Sequence, residues 1–203
     1  MDIEIITKNL KEMLKDRGDD ISLFEEHELS IDKDEYENDK NIIELQTSNT
    51  TIIFALTKNL RKLIINELKT CDTDIDSFIK KYGNMKNIIL VFNNDTISQP
   101  LVSLLNKYDK LFQKNNGLLQ YFHVQQLMFN PTKHEYVPKH EKLTETEISE
   151  LMKEYMIKSK LYMPVILHSD PIAKWLGLKQ GDIVRITRYN ENSGLSYYYR
   201  SCY

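Results

Sequence analysis

Apolar residues at Ile3, Ile6, Leu10, Met13 and Leu14 recur at three- and four-residue spacing, which predicts a helix from about Ile3 to Arg17 with one apolar face. Gly18 supplies its C-terminal stop. Leu23, Phe24, Leu29 and Ile31 are scattered through a strongly polar stretch, so a structured loop with one short helix is expected there. The runs Ile42 to Thr47 and Thr51 to Leu56 read as strands joined by the polar turn Ser48-Asn49-Thr50, a hairpin. Thr57 is placed to cap a helix through about Leu68, with Leu60, Leu63, Ile64 and Leu68 inward and Lys58, Arg61, Lys62 and Lys69 outward. A short helix is expected near Ile75 to Tyr82. Asn87 to Phe92 is apolar and β-branched along nearly its whole length, the mark of a strand covered on both faces. Asn93-Asn94-Asp95-Thr96 reads as a turn, and Thr96 or Ser98 as the cap of a helix through about Lys114 with Pro100 in its first turn. Leu118 to Met128 reads as one further strand. Helices interspersed with strands make residues 1–130 an α/β domain.

The rhythm changes near Asn130. His134 to Leu143 has no regular period and contains Pro138, so it reads as irregular. Thr144 followed by Glu147 is a capping box opening a helix whose buried stripe is Ile148, Leu151, Met152 and Tyr155. Met163 to Leu167 reads as a strand, and Asp170-Pro171 as the start of a short helix ended by Gly177. Lys179 to Asp182 turns into a strand, Ile183 to Arg188, whose alternation places apolar residues on one face and charges on the other. Asn192-Ser193-Gly194 turns the chain into a last strand, Leu195 to Tyr203. The fold class expected is therefore α/β (α+β): an α/β domain over 1–130, and a small mixed sheet with two helices over 131–203.

Composition bounds the function. In 203 residues, 41% are apolar, 28% charged and only 11 are Gly or Pro, which excludes collagen-like, disulfide-framework and wholly disordered chains. Two cysteines and no early apolar segment point to an intracellular, reducing compartment, and no apolar run is long enough to span a bilayer. The net charge of −3 is uneven: residues 19–40 hold ten acids against two bases. Residues 134–203 hold ten bases against nine acids. Autonomous nucleic-acid binding would need more cations than this, because affinity grows with the phosphates neutralised. Any DNA contact is expected to be weak and made within a complex.

Candidate chemistry is sparse. His134 and His140 have neighbouring glutamates but no third ligand at metal spacing, so hydrogen bonding to the backbone of a proline-shaped loop is the expected role. Asp170 has no Ser or His at nucleophile–base spacing and is accounted for as a helix cap. Gly177 and Gly181 lack the Gly-Lys-Ser/Thr of a phosphate loop. Lys58, Arg61, Lys62 and Lys69, and separately Lys107, Lys110 and Lys114, form basic helix faces that solvent alone can explain. Rings in the run Tyr197-Tyr198-Tyr199 should divide between core and interface. No catalytic residue, metal site or cofactor is expected.

Three motifs in the last third carry a resemblance. They are His134-Glu135-Tyr136-Val137-Pro138-Lys139-His140-Glu141-Lys142-Leu143, the stretch from Ser169-Asp170-Pro171-Ile172-Ala173-Lys174-Trp175-Leu176-Gly177-Leu178 through Gly181-Asp182-Ile183-Val184-Arg185-Ile186, and Ser193-Gly194 with Tyr199-Arg200. In this order and spacing they resemble the shared fifth-largest subunit of eukaryotic nuclear RNA polymerases and the archaeal polymerase subunit homologous to it. Lys11 to Gly18 and Leu90 to Thr96 are similar, more loosely, to the jaw domain of the eukaryotic subunit, which the archaeal homologue lacks. The resemblance implies a non-catalytic subunit whose C-terminal module docks on the largest subunit and whose N-terminal domain lies in the jaw along downstream duplex DNA. It implies other polymerase subunits as partners, no membrane and no homo-oligomer. The docking surface expected is Val137, Pro138, His140, Trp175 and Arg200, shaped by Asp170, Pro171, Gly177, Gly181 and Gly194. Asn94, Thr96 and Ser98 are the candidate DNA-proximal residues.

Departures from the family pattern point to a source. Tyr136 stands where an aliphatic residue is usual, Lys174-Trp175 replaces an Arg-Tyr type pair, and Tyr189 to Gly194 replaces a Ser-Glu-Thr-rich turn. With the abundance of Asn, Lys, Ile and Tyr, these resemble the polymerase of a large cytoplasmic DNA virus. The location expected is then host cytoplasm and virion, or the nucleus for a cellular version. Two other classes stay open: a free transcription regulator binding polymerase reversibly, and a nuclease, for which the strands at 42–56 offer only Glu44.

Overall fold

The computed structural model describes residues 3–22, 43–70, 87–93 and 97–203. The expected acidic loop, the short helix near Ile75 to Tyr82 and the turn containing Asn94 and Thr96 lie outside the described residues. Contacts divide the chain into two compact units, Met1–Phe129 and Asn130–Tyr203.

In the first unit, α1 (Ile3–Asp16) buries Ile6, Leu10, Met13 and Leu14. Its end is a Schellman motif, with Asp19 N–H returning to the Leu14 carbonyl at 3.0 Å and Gly18 N–H to Lys15 at 2.9 Å. This requires the positive φ of +78° that Gly18 adopts. β1 (Ile43–Gln46) and β2 (Thr50–Ala55) form the expected hairpin, its turn closed by Thr47 N–H to the Thr50 carbonyl at 2.8 Å. β2 pairs in parallel with β3 (Asn87–Phe92), and β3 with β4 (Leu118–His123), giving the order β1-β2-β3-β4. The parallel connections carry α2 (Lys58–Thr70) and α3 (Gln99–Lys114).

β3 is central, and from Ile88 to Phe92 every residue is buried. Ile53, Ala55, Ile88, Leu90, Phe92 and Leu119 pack on one face with Ile64 of α2 and Leu101, Leu105, Tyr108 and Phe112 of α3. Ile52, Phe54, Ile89, Val91, Leu118 and Phe122 are buried on the opposite face. α1 is tied to that face by Arg17, which donates to Gln120 Oε1 at 2.7 Å, and by Asp19, which accepts from Thr50 Oγ1 at 2.6 Å. Burial pushes the Arg17 guanidinium down to about 10, with the Asp19 carboxylate opposing, so it stays charged near neutrality. The last strand is shorter than its hydropathy suggested. At His123 the chain turns into α4 (Val124–Leu127), because Gln126 accepts the His123 backbone N–H at 3.1 Å and Val124 and Leu127, three apart, are both buried.

The second unit has a four-stranded sheet in the order β5-β7-β8-β6. β5 (Lys139–Lys142) pairs antiparallel with β7 (Ile183–Asn190), β7 antiparallel with β8 (Gly194–Cys202), and β8 parallel with β6 (Val165–Ile166). α5 (Glu145–Glu154) opens with the capping box the sequence predicted: Thr144 N–H donates to Glu147 Oε2 at 2.8 Å and Glu147 N–H to Thr144 Oγ1 at 3.4 Å. α6 (Pro171–Trp175) is capped by Asp170, whose Oδ1 accepts from Ile172 N–H at 2.8 Å.

Four expectations are corrected here. Lys139–Lys142, expected to be irregular, is a strand; a Lys-His-Glu-Lys edge carries no apolar alternation to announce it. The strand expected over Met163 to Leu167 shrinks to Val165–Ile166. Pro164 has no N–H to offer the next carbonyl along β8, so the ladder ends there. Tyr155 leaves the buried stripe at 56% exposure, because α5 stops at Glu154 and Met156 follows with φ +53°. β7 is not two-faced at its start. Ile183 packs with Leu143, Ile148, Leu151 and Met163, while Val184, on the other side, packs with Ile166, Ala173, Leu178 and Cys202.

Candidate functional site

The segment before β5 is held by its own backbone. Val137 N–H donates to the His134 carbonyl at 2.9 Å, and Tyr136 N–H to His134 Nδ1 at 3.3 Å. His140 Nδ1 lies 2.6 Å from the Pro138 carbonyl, which fixes the proton on that nitrogen. Both histidines thus bond to backbone of the proline-containing segment, His134 from within it and His140 from β5.

Strand register then decides what shares a face. His140 lies opposite Ile186, and Ile186 opposite Tyr198; Lys142 lies opposite Val184, and Val184 opposite Arg200. Arg188, two residues beyond Ile186, joins the same face, with its guanidinium carbon 4.7 Å from the centre of the Tyr198 ring. Burial lowers the pKa of half-buried His140; the Pro138 bond and the Asp170 charge act against it, while Arg200 and Arg188 add to it. His140, Arg188, Tyr198 and Arg200 therefore form one cationic and aromatic tile with Asp170 within electrostatic reach. Among the described residues neither Arg188 nor Arg200 has an acidic ion-pair partner.

The opposite face is charge-satisfied. Arg185 meets Glu141 at 3.2 Å and Glu147 at 4.0 Å, and Lys139 meets Glu141 at 2.6 Å. The Lys139 hydrogen bond, then Arg185, holds the Glu141 carboxyl below its ordinary value despite partial burial. Beyond these pairs the hairpin end of this face exposes Tyr189, Leu195 and Tyr197.

The expected docking residues divide accordingly. His140 and Arg200 come together, with Asp170 near, and Val137 and Pro138 lie half-buried just before β5. Trp175 is 1% exposed, so it packs in the core and cannot present its ring to a partner; this corrects its place on the expected surface. Gly181 (φ +89°) and Gly194 (φ +72°) sit in turns with open space where a Cβ would be, so they are needed for backbone conformation and not for close approach. Gly194 belongs to the hairpin tip, opposite Asn190 and away from the tile. Gly177 takes φ +61° just after α6, and Pro171 is that helix's exposed first residue. Sequence reasoning passed over Arg188 and Tyr198 as site residues. Register arithmetic was the signal, since same-face positions are two apart.

Of the DNA-proximal candidates, Ser98 alone is described. It is exposed, caps α3 without a side-chain hydrogen bond, and lines a groove of about 350 Å³ with Lys62, Ile65 and Leu104. Among the described residues no three His, Cys, Asp or Glu side chains gather as a metal-binding group, and no helix is long and apolar enough to cross a membrane.

Comparison with known proteins gives this architecture a lineage. Residues 129–202 match the family model described as RNA polymerase Rpb5, C-terminal domain. Over 197 residues, 97% of this chain and 95% of the relative, the sequence is 26% identical to DNA-directed RNA polymerases I, II, and III subunit rpabc1 of Dictyostelium discoideum. It is 39% identical over 83 residues to the subunit RPABC1 of Caenorhabditis briggsae and of Caenorhabditis elegans, covering 41% of this chain and 39% of each relative. The chain is thus homologous to the shared Rpb5 subunit of DNA-directed RNA polymerases, and its residues 129–202 match that subunit's C-terminal domain.

Proposed function

We propose that this protein is a non-catalytic subunit of a multisubunit DNA-dependent RNA polymerase, docked on the largest subunit through residues 131–203, with the N-terminal unit serving as part of the jaw beside downstream DNA. The observation that carries this reading is the similarity to a shared polymerase subunit along nearly the whole of both chains. The surface of the second unit is suited to docking. It leaves the large side chains of Tyr136, Met156, Leu161, Tyr162, Leu195 and Tyr197 exposed, apolar surface that a docked partner would cover. The sequence departures at Tyr136, Trp175 and Tyr189 to Gly194 support a polymerase encoded by a large cytoplasmic DNA virus, acting in host cytoplasm and packaged in the virion.

Affinity purification of the tagged chain under high-salt washing tests the assignment. Near one-to-one recovery with two very large subunits, lost on removing residues 131–203 and kept on removing 1–120, is the expected result. Trace recovery would favour a regulator that binds polymerase reversibly.

A further inference from the structure

The outer edge of β8 is open. Ser201 N–H donates to the Pro164 carbonyl on the β6 side at 2.8 Å, whereas Cys202 N–H donates to the Asp182 carbonyl on the β7 side at 2.8 Å. Backbone groups alternate sides along a strand, so Leu195, Tyr197 and Tyr199 point theirs away from β7, as Ser201 does. β6 and the residues flanking it cover this edge only from Ser201 to Tyr203. Among the described residues no strand pairs with the stretch before it. That stretch, Gly194 to Tyr199, reads Gly-Leu-Ser-Tyr-Tyr-Tyr and has neither a charge nor a proline, the usual guards of an exposed edge. Leu195 is 62% and Tyr197 54% exposed on one of its flanks. On the other flank Arg188 leans across Tyr198 towards the edge, and Arg200 stands beside it.

We infer that this edge accepts an extended segment of another polymerase subunit as an added strand, with carboxylates on the face of Arg188 and Arg200 and apolar side chains on the face of Leu195 and Tyr197. The inference rests on the subunit reading above and names the chemistry of the partner. Charge selects the occupant. Two copies joined edge to edge about Tyr197 would set four arginines on one continuous face without an intervening acid. Two or three cations are also too few to hold a nucleic-acid strand, and an open backbone edge offers it nothing.

The test separates backbone from side chain. Leu195→Pro deletes an outward N–H without breaking the ladder to β7, while Leu195→Thr keeps that N–H. Recovery of polymerase subunits with the tagged full chain is expected to fall about tenfold for Leu195→Pro, the scale of a lost backbone hydrogen bond with local displacement, and to fall markedly less for Leu195→Thr, which keeps the N–H and loses only part of the apolar contact. Hydrogen exchange on the unmodified chain needs no variant: within 194–199 the outward amides of Leu195, Tyr197 and Tyr199 are expected to exchange freely alone and to be slowed in the complex, whereas those of Ser196 and Tyr198 are already paired with β7. Undiminished recovery of Leu195→Pro, or equal exchange free and bound, overturns the added strand and leaves the subunit assignment standing. A dimer of the free chain with these amides already protected would give the edge to a second copy and also overturn it. Wild-type protein that recovers no polymerase would instead defeat the subunit reading itself.

Discussion

Asp170 sits at the start of α6, and removing its side chain is the sharpest test of how the second unit is held together. Pro171 follows it and has no N–H, so Ile172 N–H is the first donor of the helix, and it is satisfied by Asp170 Oδ1 at 2.8 Å. Ile172 is buried, so water is a poor substitute. Asp170→Ala should cost about 1 kcal/mol, within the ~0.5–2 kcal/mol range of lost caps. Asp170→Asn keeps an acceptor oxygen and should cost only a few tenths. Trp175, the sole tryptophan, is buried in the same helix and gives a fluorescence probe confined to the second unit. With a urea slope of about 1 kcal/mol per M for a unit of this size, the Ala variant should lower the midpoint by about 1 M and the Asn variant by far less. Equal losses in the two variants would refute the cap and assign the effect to the carboxylate charge, which also acts on His140.

Two further predictions use the same unit. Trp175→Ala should cost about 3–5 kcal/mol, the range for deleting a large buried ring. Limited proteolysis should then cut within 130–203, whereas wild-type protein resists; a resistant variant would mean that the ring is not core. Burial holds His140 below the ordinary histidine value of about 6.5, so below that pH the unfolded chain takes up more protons than the folded one. Stability should therefore be flat above about pH 6.5 and fall as the pH drops from there towards the folded-state value. Urea midpoints read from Trp175 between about pH 5.5 and 8 check this, and an unchanged slope in His140→Asn would assign the proton uptake elsewhere.

What the sequence made legible was whatever local chemistry decides. The helix stop at Gly18, the hairpin through Ser48-Asn49, the box at Thr144 and Glu147 and the cap at Asp170 all act within a few residues, and each stands where it was expected. The two-sided burial of β3 was legible because the unbroken apolar run from Ile88 to Phe92 leaves a strand no exposed face. Tertiary pairing hid the rest. β5 exists because its backbone has β7 to pair with, although its side chains read as a polar loop. Trp175 looked like an anchor for a partner because large aromatic rings often serve interfaces, but this ring completes the core under a helix of five residues. Arg188 and Tyr198 gained meaning only when register set them side by side.

The two sheets differ in how much of themselves they consume. In the first, the central strand β3 is buried on both faces and paired on both edges, so that strand has nothing left to offer. In the second, burial on both faces is confined to the end of β7 that holds Ile183 and Val184, where α5 packs on one side and α6 on the other. Towards the hairpin tip both helices have ended, yet the two strands continue paired to Asn190 and Gly194. An isolated hairpin contributes little stability of its own, so extending it past the core gains the unit nothing in folding. The extension does project an uncharged backbone edge, one apolar flank and one flank carrying Arg188, which among the described residues has no acidic ion-pair partner, with Arg200 behind it opposite Val184. Those three features suit the added strand inferred above, a single extended polypeptide bearing acids on alternate positions.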